Sequence, residues 1–291
     1  MIVDPSMTEQ SAIAAADGDH SSAGVLPRLF SLEGRTALIT GAGSPTGIGF
    51  ASARMLGELG ARVMVTSTTD RIHARVDELT QAGLEAHGVF GDLTDESAVQ
   101  RITAAAIAAL GAVDILVNNA GMTSVSRPGS EEADAATELP YAQWRASIER
   151  NLDTAFLMSR AVIPHMRSRR WGRIVSVASV SGPVMAMRHE PAYAAAKAGL
   201  VGLTRALALD HAADGITVNA VAPGWIETGS QTPHERTEGF VTPVGRSAAP
   251  DEVASAIAWL ATPGAAYTTG QCIVIDGGNS IAEERSLPVL R

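Results

Sequence analysis

Residues 36–60 read TALITGAGSPTGIGFASARMLGELG, and the fold turns on this stretch. Its first five residues, 36–40, are a short apolar, β-branched run, which predicts a buried strand. A glycine-rich turn, GAGSPTGIG, fills 41–49. FASARMLGELG then has the pattern of an amphipathic helix closed by Gly60. A glycine turn between strand and helix lets the backbone approach a pyrophosphate, and the helix start offers unpaired N–H groups and a positive dipole end. Turns use glycine anyway, so the pattern gains weight only from its strand–turn–helix setting.

Working outward, the same alternation continues. Strands are expected at 61–67, 85–90, 112–121, 173–179, 216–224 and 271–276. Helices are expected at 70–82, 94–110 and 251–261, with a long helix carrying Asn151 and another carrying Tyr193 to about residue 213. Polar loops join the rest, from Met122 to Pro140 and from the sixth strand to Pro250. Near-continuous apolar strands in strict alternation with helices imply an α/β fold. It is a doubly wound parallel sheet of about seven strands with helices on both faces. No second core is visible, so residues 31–280 form one domain, with a flexible polar tail over 1–30 and an extension over 281–291.

Composition narrows the function. The 291 residues carry a net charge of −9 with no basic block, which disfavours nucleic acid and anionic membranes as partners. A single cysteine, Cys272, excludes an internal disulfide and fits a reducing, cytoplasmic compartment. No apolar run is long enough to span a bilayer, and the N-terminus lacks the features of a signal peptide. The seven histidines show no paired metal-ligand spacing, so no metal is expected.

In such a sheet, ligands bind beyond the strand C-termini where strand order reverses. Unlike motifs gather there: the glycine turn, Asp92, Asn118-Asn119-Ala120-Gly121, Ser179 and Pro223-Gly224. At the end of the second strand, where an acidic residue would bind a ribose 2′-hydroxyl, the chain reads Thr66-Ser67-Thr68-Thr69-Asp70-Arg71. Ser67 and Thr68 leave room for a 2′-phosphate that Arg71 can reach, which favours NADP over NAD, with NAD the open alternative. Beyond Ser179, Lys197 stands four residues after Tyr193 on an alanine-rich helical run, and it is the only lysine in the chain. An ammonium beside a phenol favours the phenolate and lowers its pKa, suiting the tyrosine to proton exchange with an alcohol or ketone oxygen.

Taken together, these segments resemble the short-chain dehydrogenase/reductase family over about residues 32–278, most closely the 3-oxoacyl-(acyl carrier protein) reductase type. The matching segments are Thr40-Gly41 with Gly47-Ile48-Gly49, Asp92-Leu93, Asn118 to Gly121, Asn151, Ser179, Tyr193-x-x-x-Lys197, Pro223 to Thr228 and Gly270-Gln271 with Asp276-Gly277-Gly278. The resemblance implies a Rossmann-like fold with Asn151, Ser179, Tyr193 and Lys197 as the catalytic set. Tyr193 would be the acid/base, Ser179 would polarise the carbonyl oxygen, Lys197 would bind the nicotinamide ribose and Asn151 would hold a relay water. The cofactor-binding set would be Gly41, Gly43, Ser44, Gly47, Ile48, Gly49, Ser67, Thr68, Arg71, Asp92, Leu93, Asn119, Ala120, Gly121, Tyr193, Lys197, Pro223, Gly224, Ile226 and Thr228. Plainer roles stay open: Asn118 and Asn119 as ties between strand ends, Asn151 as a polar residue bending its helix, Ser179 as a turn cap.

The chain also departs from the family's pattern. Gly41 and Gly47 are separated by five residues rather than three, an enlargement that includes Pro45, which has no N–H to give. Carrier-protein reductases dock an acidic partner on two basic positions; one matches Arg170, but the other is Asp214. The expected activity is therefore NADPH-dependent reduction of a free ketone or β-keto ester to a secondary alcohol. The alternatives are NAD-dependent oxidation of a sugar or sterol alcohol and a non-catalytic cofactor-binding sensor. The resemblance also implies a homotetramer or homodimer.

Overall fold

The computed structural model describes residues 27–121 and 134–283. Most of the expected N-terminal tail, most of the loop after Gly121 and most of the C-terminal extension lie outside them.

Seven strands form one parallel sheet among these residues: β1 Thr36–Ile39, β2 Arg62–Ser67, β3 Ala86–Phe90, β4 Ile115–Asn118, β5 Gly172–Val177, β6 Ile216–Pro223 and β7 Cys272–Ile275. Their spatial order is β3-β2-β1-β4-β5-β6-β7, so strand order reverses between β1 and β4. Every pairing is parallel, and the central strands are buried because helices cover both faces, while the edge strands β3 and β7 are only partly covered. The helices are α1 Ile48–Glu58, α2 Ile72–Gln81, α3 Glu96–Leu110, α4 Tyr141–Ile148, α5 Thr154–Arg169, α6 Pro191–His211, α7 Pro233–Phe240 and α8 Pro250–Ala261.

Side chains alternate between two cores along each strand. Ile39, Val63 and Ile115 face Leu56, Ile72 and Ile257 on one side. Leu38, Met64 and Leu116 face Ile102, Met158 and Val162 on the other.

Two expectations need correcting. The long helix through Asn151 is not continuous: a π-helical turn, Glu149–Asp153, separates α4 from α5. One extra residue per turn shifts the hydrogen-bond ladder there, and π-bulges of this kind recur at functional sites. The polar loop before Pro250 also holds a helix, α7, started by a capping box in which Thr232 and Glu235 satisfy each other's backbone N–H.

The end of the sheet remote from the strand C-termini is fastened by buried charge. Asp114, 1% exposed, accepts from the Thr36 backbone N–H at 3.2 Å and pairs with Arg169 at 3.2 Å. Nearby, Trp171 lies between two guanidinium groups, 3.9 Å from Arg35 and 4.4 Å from Arg173. Burial, then Arg35, lowers the Arg173 pKa to about 10, and its N–H groups donate to the carbonyls of Gly172 and Thr262.

Candidate active site

At the reversal point the ends of β1 and β4 are tied by Asn119. Its Nδ2 donates to the carbonyls of Thr40 and Gly41, each at 3.0 Å, while Thr40 Oγ1 accepts from the backbone N–H of Asn119 and Ala120. Asn118 Nδ2 likewise donates to Ser159 Oγ at 3.1 Å. Asn119 thus ties strand ends as the plainer role expected while also lining the crevice above it, whereas Asn118 ties β4 to helix α5.

The glycine turn needs its glycines. Gly41 has φ +67°, and a Cβ on it would stand 2.8 Å from Ala120 Cα. A Cβ on Gly49 would stand 2.5 Å from Asn119 Nδ2. The chain therefore runs low here and leaves a crevice of about 380 Å³ above the strand ends. Of the expected cofactor residues, Gly41, Ser44, Gly47, Ile48, Ser67, Thr68, Arg71, Asp92, Leu93, Asn119, Ala120, Gly121 and Thr228 line it.

Gly43 and Gly49 lie just beneath the crevice. A Cβ on Gly43 would stand 2.5 Å from Arg71 Nε, which is buried and has no partner among the described residues. The Ser67 hydroxyl donates to Thr69 O at 2.6 Å while Ser67 itself lines the crevice. Arg71 and Thr68 line it as well. The enlarged turn also reaches across the crevice mouth, since a Cβ on Gly229 would stand 2.8 Å from Thr46 Oγ1.

Pro223, Gly224 and Ile226 reach the same edge but shape it from behind. Pro223 O accepts from Val180 N at 3.0 Å, Gly224 N donates to Ile275 O at 2.9 Å, and buried Ile226 bridges to Ala248.

Beside the crevice, β5 and α6 bring Ser179, Tyr193 and Lys197 together. Ser179 Oγ accepts from Ser181 N at 3.1 Å, the turn-capping role left open, and its hydroxyl opposes the rise that burial imposes on the Tyr193 phenol. Lys197 Nζ is buried, donates to Val177 O at 3.0 Å and lies 5.5 Å from the Tyr193 ring centroid. Gly121 admits the set from the other side: a Cβ there would stand 2.9 Å from Asn151 Oδ1 and 3.3 Å from Lys197 Nζ. Asn151 is held in the π turn by its Nδ2 donating to Ser147 O at 3.1 Å.

The expected pKa relation is not what the structure shows. Burial lowers Lys197 to about 8. Burial raises Tyr193 to about 12; the Ser179 hydrogen bond opposes the rise and the carboxylates of Glu190 and Glu235 add to it. Lys197 is not among the groups that move the phenol, because with its own pKa at about 8 the lysine is already neutral where the phenol ionises.

Sequence reasoning missed Thr94, Ala146, Glu149, Arg150, Thr154, Gly229 and Ser230, all of which line the crevice. Ala146, Arg150 and Thr154 recur at i, i+4, i+8, a spacing that puts them on one helix face and would have found them.

The cradle suits a dinucleotide. Backbone runs along the floor where side chains would collide, the start of α1 faces the phosphate position, and a buried guanidinium edge points at Gly43. Among the described residues no cluster of metal-ligating side chains is present, and no helix is long and apolar enough to cross a membrane.

A family model described as enoyl-(acyl carrier protein) reductase matches residues 41–280. The 3-oxoacyl-[acyl-carrier-protein] reductase of Vibrio cholerae is 39% identical over 253 residues, 85% of this chain and 98% of that protein. The cis-4-hydroxycyclohexanecarboxylate dehydrogenase of Sinomonas cyclohexanicum is 39% identical over 248 residues, covering 84% and 96%. A Beutenbergia cavernae protein assigned as an NAD(P)-dependent gluconate 5-dehydrogenase, crystallised with NADP at low occupancy, superimposes with a TM-score of 0.78. It is 37% identical, and the match covers 87% of this chain and all of that one.

Proposed function

Because the chain belongs to the short-chain dehydrogenase/reductase family, whose members are NAD(P)-dependent oxidoreductases acting on CH–OH and C=O groups, we propose that it is an NADPH-dependent carbonyl reductase. The observation that carries this reading is the convergence of Ser179, Tyr193, Lys197 and Asn151 beside a glycine-floored crevice at the sheet's reversal point.

When bound, the dinucleotide supplies the hydride. Asp92 and Leu93 would flank the adenine, Ser67, Thr68 and Arg71 would take the 2′-phosphate, and the α1 N-terminus would take the pyrophosphate. Lys197, whose Nζ donates to Val177 O at 3.0 Å, would hold the nicotinamide ribose. Ser179 and Tyr193 donate hydrogen bonds to the substrate carbonyl oxygen, where negative charge develops, and Tyr193 Oη passes its proton to that oxygen. Asn151, held by its bond to Ser147 O, would hold the water through which the proton is replaced.

Reduction needs Tyr193 protonated, and the reverse oxidation needs it ionised. The substrate is a free ketone or β-keto ester rather than one carried on an acidic protein. Arg167 pairs with Asp214 at 3.0 Å and Arg170 donates to Ala213 O, so this basic cluster is engaged within the fold. The protein works in the cytoplasm as a homotetramer or homodimer, with Phe156, 42% exposed, and Leu209, 83% exposed, offering apolar surface on α5 and α6.

The test titrates NADPH and NADH into purified protein, then measures ketone turnover with wild type and Tyr193→Phe. NADPH should bind at least tenfold tighter, and the variant should bind it equally well while losing about 10³-fold in kcat. Equal turnover by the variant would falsify the reading. NADH preference with alcohol oxidation would instead support the second reading, which the name of the Sinomonas relative favours.

A further inference from the structure

Two arms meet across the mouth of the crevice. One is Ser44-Pro45-Thr46, in the part of the glycine turn that exceeds the family's spacing; the other is Thr228-Gly229-Ser230, which follows β6. Ser44 lines the crevice from the β1 side, and Thr228, Gly229 and Ser230 line it from the β6 side. β1 and β6 are three places apart in the sheet. Neighbouring strands stand about 4.8 Å apart, so the arms close a gap of roughly 14 Å. They meet where the Thr46 hydroxyl approaches the Gly229 backbone: a Cβ on Gly229 would stand 2.8 Å from Thr46 Oγ1 and 3.7 Å from Ser44 Oγ. Gly229 has no left-handed φ, so the close approach, and not backbone conformation, calls for glycine here. Each arm is fastened on its own bank. Ser44 Oγ and Thr46 Oγ1 are 3.5 Å apart, Thr228 Oγ1 hydrogen-bonds Ser230 Oγ at 3.0 Å, and Gln231 Nε2 donates to Ser247 Oγ at 2.8 Å. Among the described residues no hydrogen bond joins one arm to the other.

A contact held by packing alone can part and close again, since each atom pair contributes little. Thr46, Gly229 and Ser230 are exposed, so parting them disturbs no core. Pro45 fixes its own φ at about −65°, which limits how the first arm moves and presents Thr46 with little entropy left to lose. We propose that Thr46 is a positioning residue: seated against Gly229, it latches the loop of Thr228 over the bound dinucleotide, and the parting of the two arms sets how fast the cofactor leaves. This rests on the dinucleotide site proposed above and adds the way that site is closed. Thr46 acts through the loop and takes no part in the transfer of hydride or proton.

The test displaces NADPH from preloaded protein and follows its release by stopped-flow fluorescence. It compares wild type with Thr46→Ser, Thr46→Ala, Gly229→Ala and the double variant Thr46→Ala/Gly229→Ala. Thr46→Ser keeps Oγ1 and should release NADPH within about twofold of the wild-type rate. Thr46→Ala removes that oxygen and Gly229→Ala pushes against it. Each should speed release by about threefold or more, with the association rate little changed. In the double variant the methyl group added at 229 occupies the space that Oγ1 leaves, so release should return to within about twofold of wild type. Two changes that merely loosened separate loops would instead add. Unchanged release in both single variants, or additive effects in the double variant, overturns the latch, while NADPH binding keeps the parent reading intact. No binding of NADPH by the wild type overturns both. Should Gly229→Ala not fold, Thr46→Ser against Thr46→Ala decides the matter, and equal release rates for the two overturn the latch.

Discussion

Replacing Lys197 by methionine should stabilise the fold at neutral pH while abolishing turnover. Burial lowers this lysine from 10.5 to about 8. A shift of about 2.5 units at 1.36 kcal/mol per unit means that holding the charge inside the folded protein costs roughly 3 kcal/mol. The sign follows from proton counting. Below about pH 8 the lysine is charged in both states and the full cost is present. Between about 8 and 10.5 the unfolded chain binds more protons than the folded one, so wild-type stability rises with pH; above that window the cost is gone. Methionine removes the charge but also the bond to Val177 O at 3.0 Å, and an unmet carbonyl costs about 1–2 kcal/mol. The net at pH 7 is about 1–2 kcal/mol in favour of Lys197→Met, or ~2–8 °C in Tm for a domain of this size. By about pH 10.5 the order should invert, because the wild type has recovered its deficit and the variant has not recovered its hydrogen bond. Paired thermal or urea unfolding at the two pH values reads this directly, and kcat should fall by at least about 100-fold. A variant less stable at pH 7, or a stability difference that ignores pH, would refute the account of Lys197 as a charge held against its burial.

Two further substitutions probe opposite ends of the molecule. Gly121→Ala puts a methyl group 2.9 Å from Asn151 Oδ1 and 3.3 Å from Lys197 Nζ, so one of them must give way. Since displacements near 1 Å cost about 100-fold, kcat should drop roughly 10- to 100-fold while Tm moves little, as steady-state kinetics beside a thermal melt will show. Asp114→Ala strips the Thr36 N–H and Oγ1 and the Arg169 guanidinium of their shared acceptor. Because the arginines left behind are partly exposed, the loss comes mainly from the buried Thr36 N–H, and urea unfolding should report about 1–3 kcal/mol, with KM for NADPH unchanged in the protein that remains folded.

Much of this architecture could be read from residue order. Seven apolar runs alternating with helical stretches give seven parallel strands, and the motifs expected at strand ends lie along one edge of the sheet. The π turn was not legible, because one extra residue in Glu149–Asp153 leaves no mark on a pattern that tolerates a drift of one position. The helix at Pro233–Phe240 was legible in principle. Thr232 followed by Pro233 and Glu235 is a helix-start signature, but the stretch after it is too polar to suggest packing. β4 is shorter than expected because Asn119 and Ala120 leave the ladder to donate to Thr40 Oγ1. The direction of the Tyr193 shift was out of reach for another reason: spacing says that lysine and tyrosine share a helix face, whereas the sign depends on how much water the fold removes from each.

The buried charges around Asp114, Arg173 and Trp171 lie at the foot of the strands, and the reacting groups lie at their heads. Such a layout separates heredity from improvisation. Changes at the foot strike every lineage alike, since they unseat the sheet itself. Changes in the loop through Gly229, which lines the crevice, would redraw what is admitted without touching the foundation. A chain built this way can change its diet and keep its skeleton, and substrate range would be expected to diverge first where the head loops vary and last where the foot is fastened.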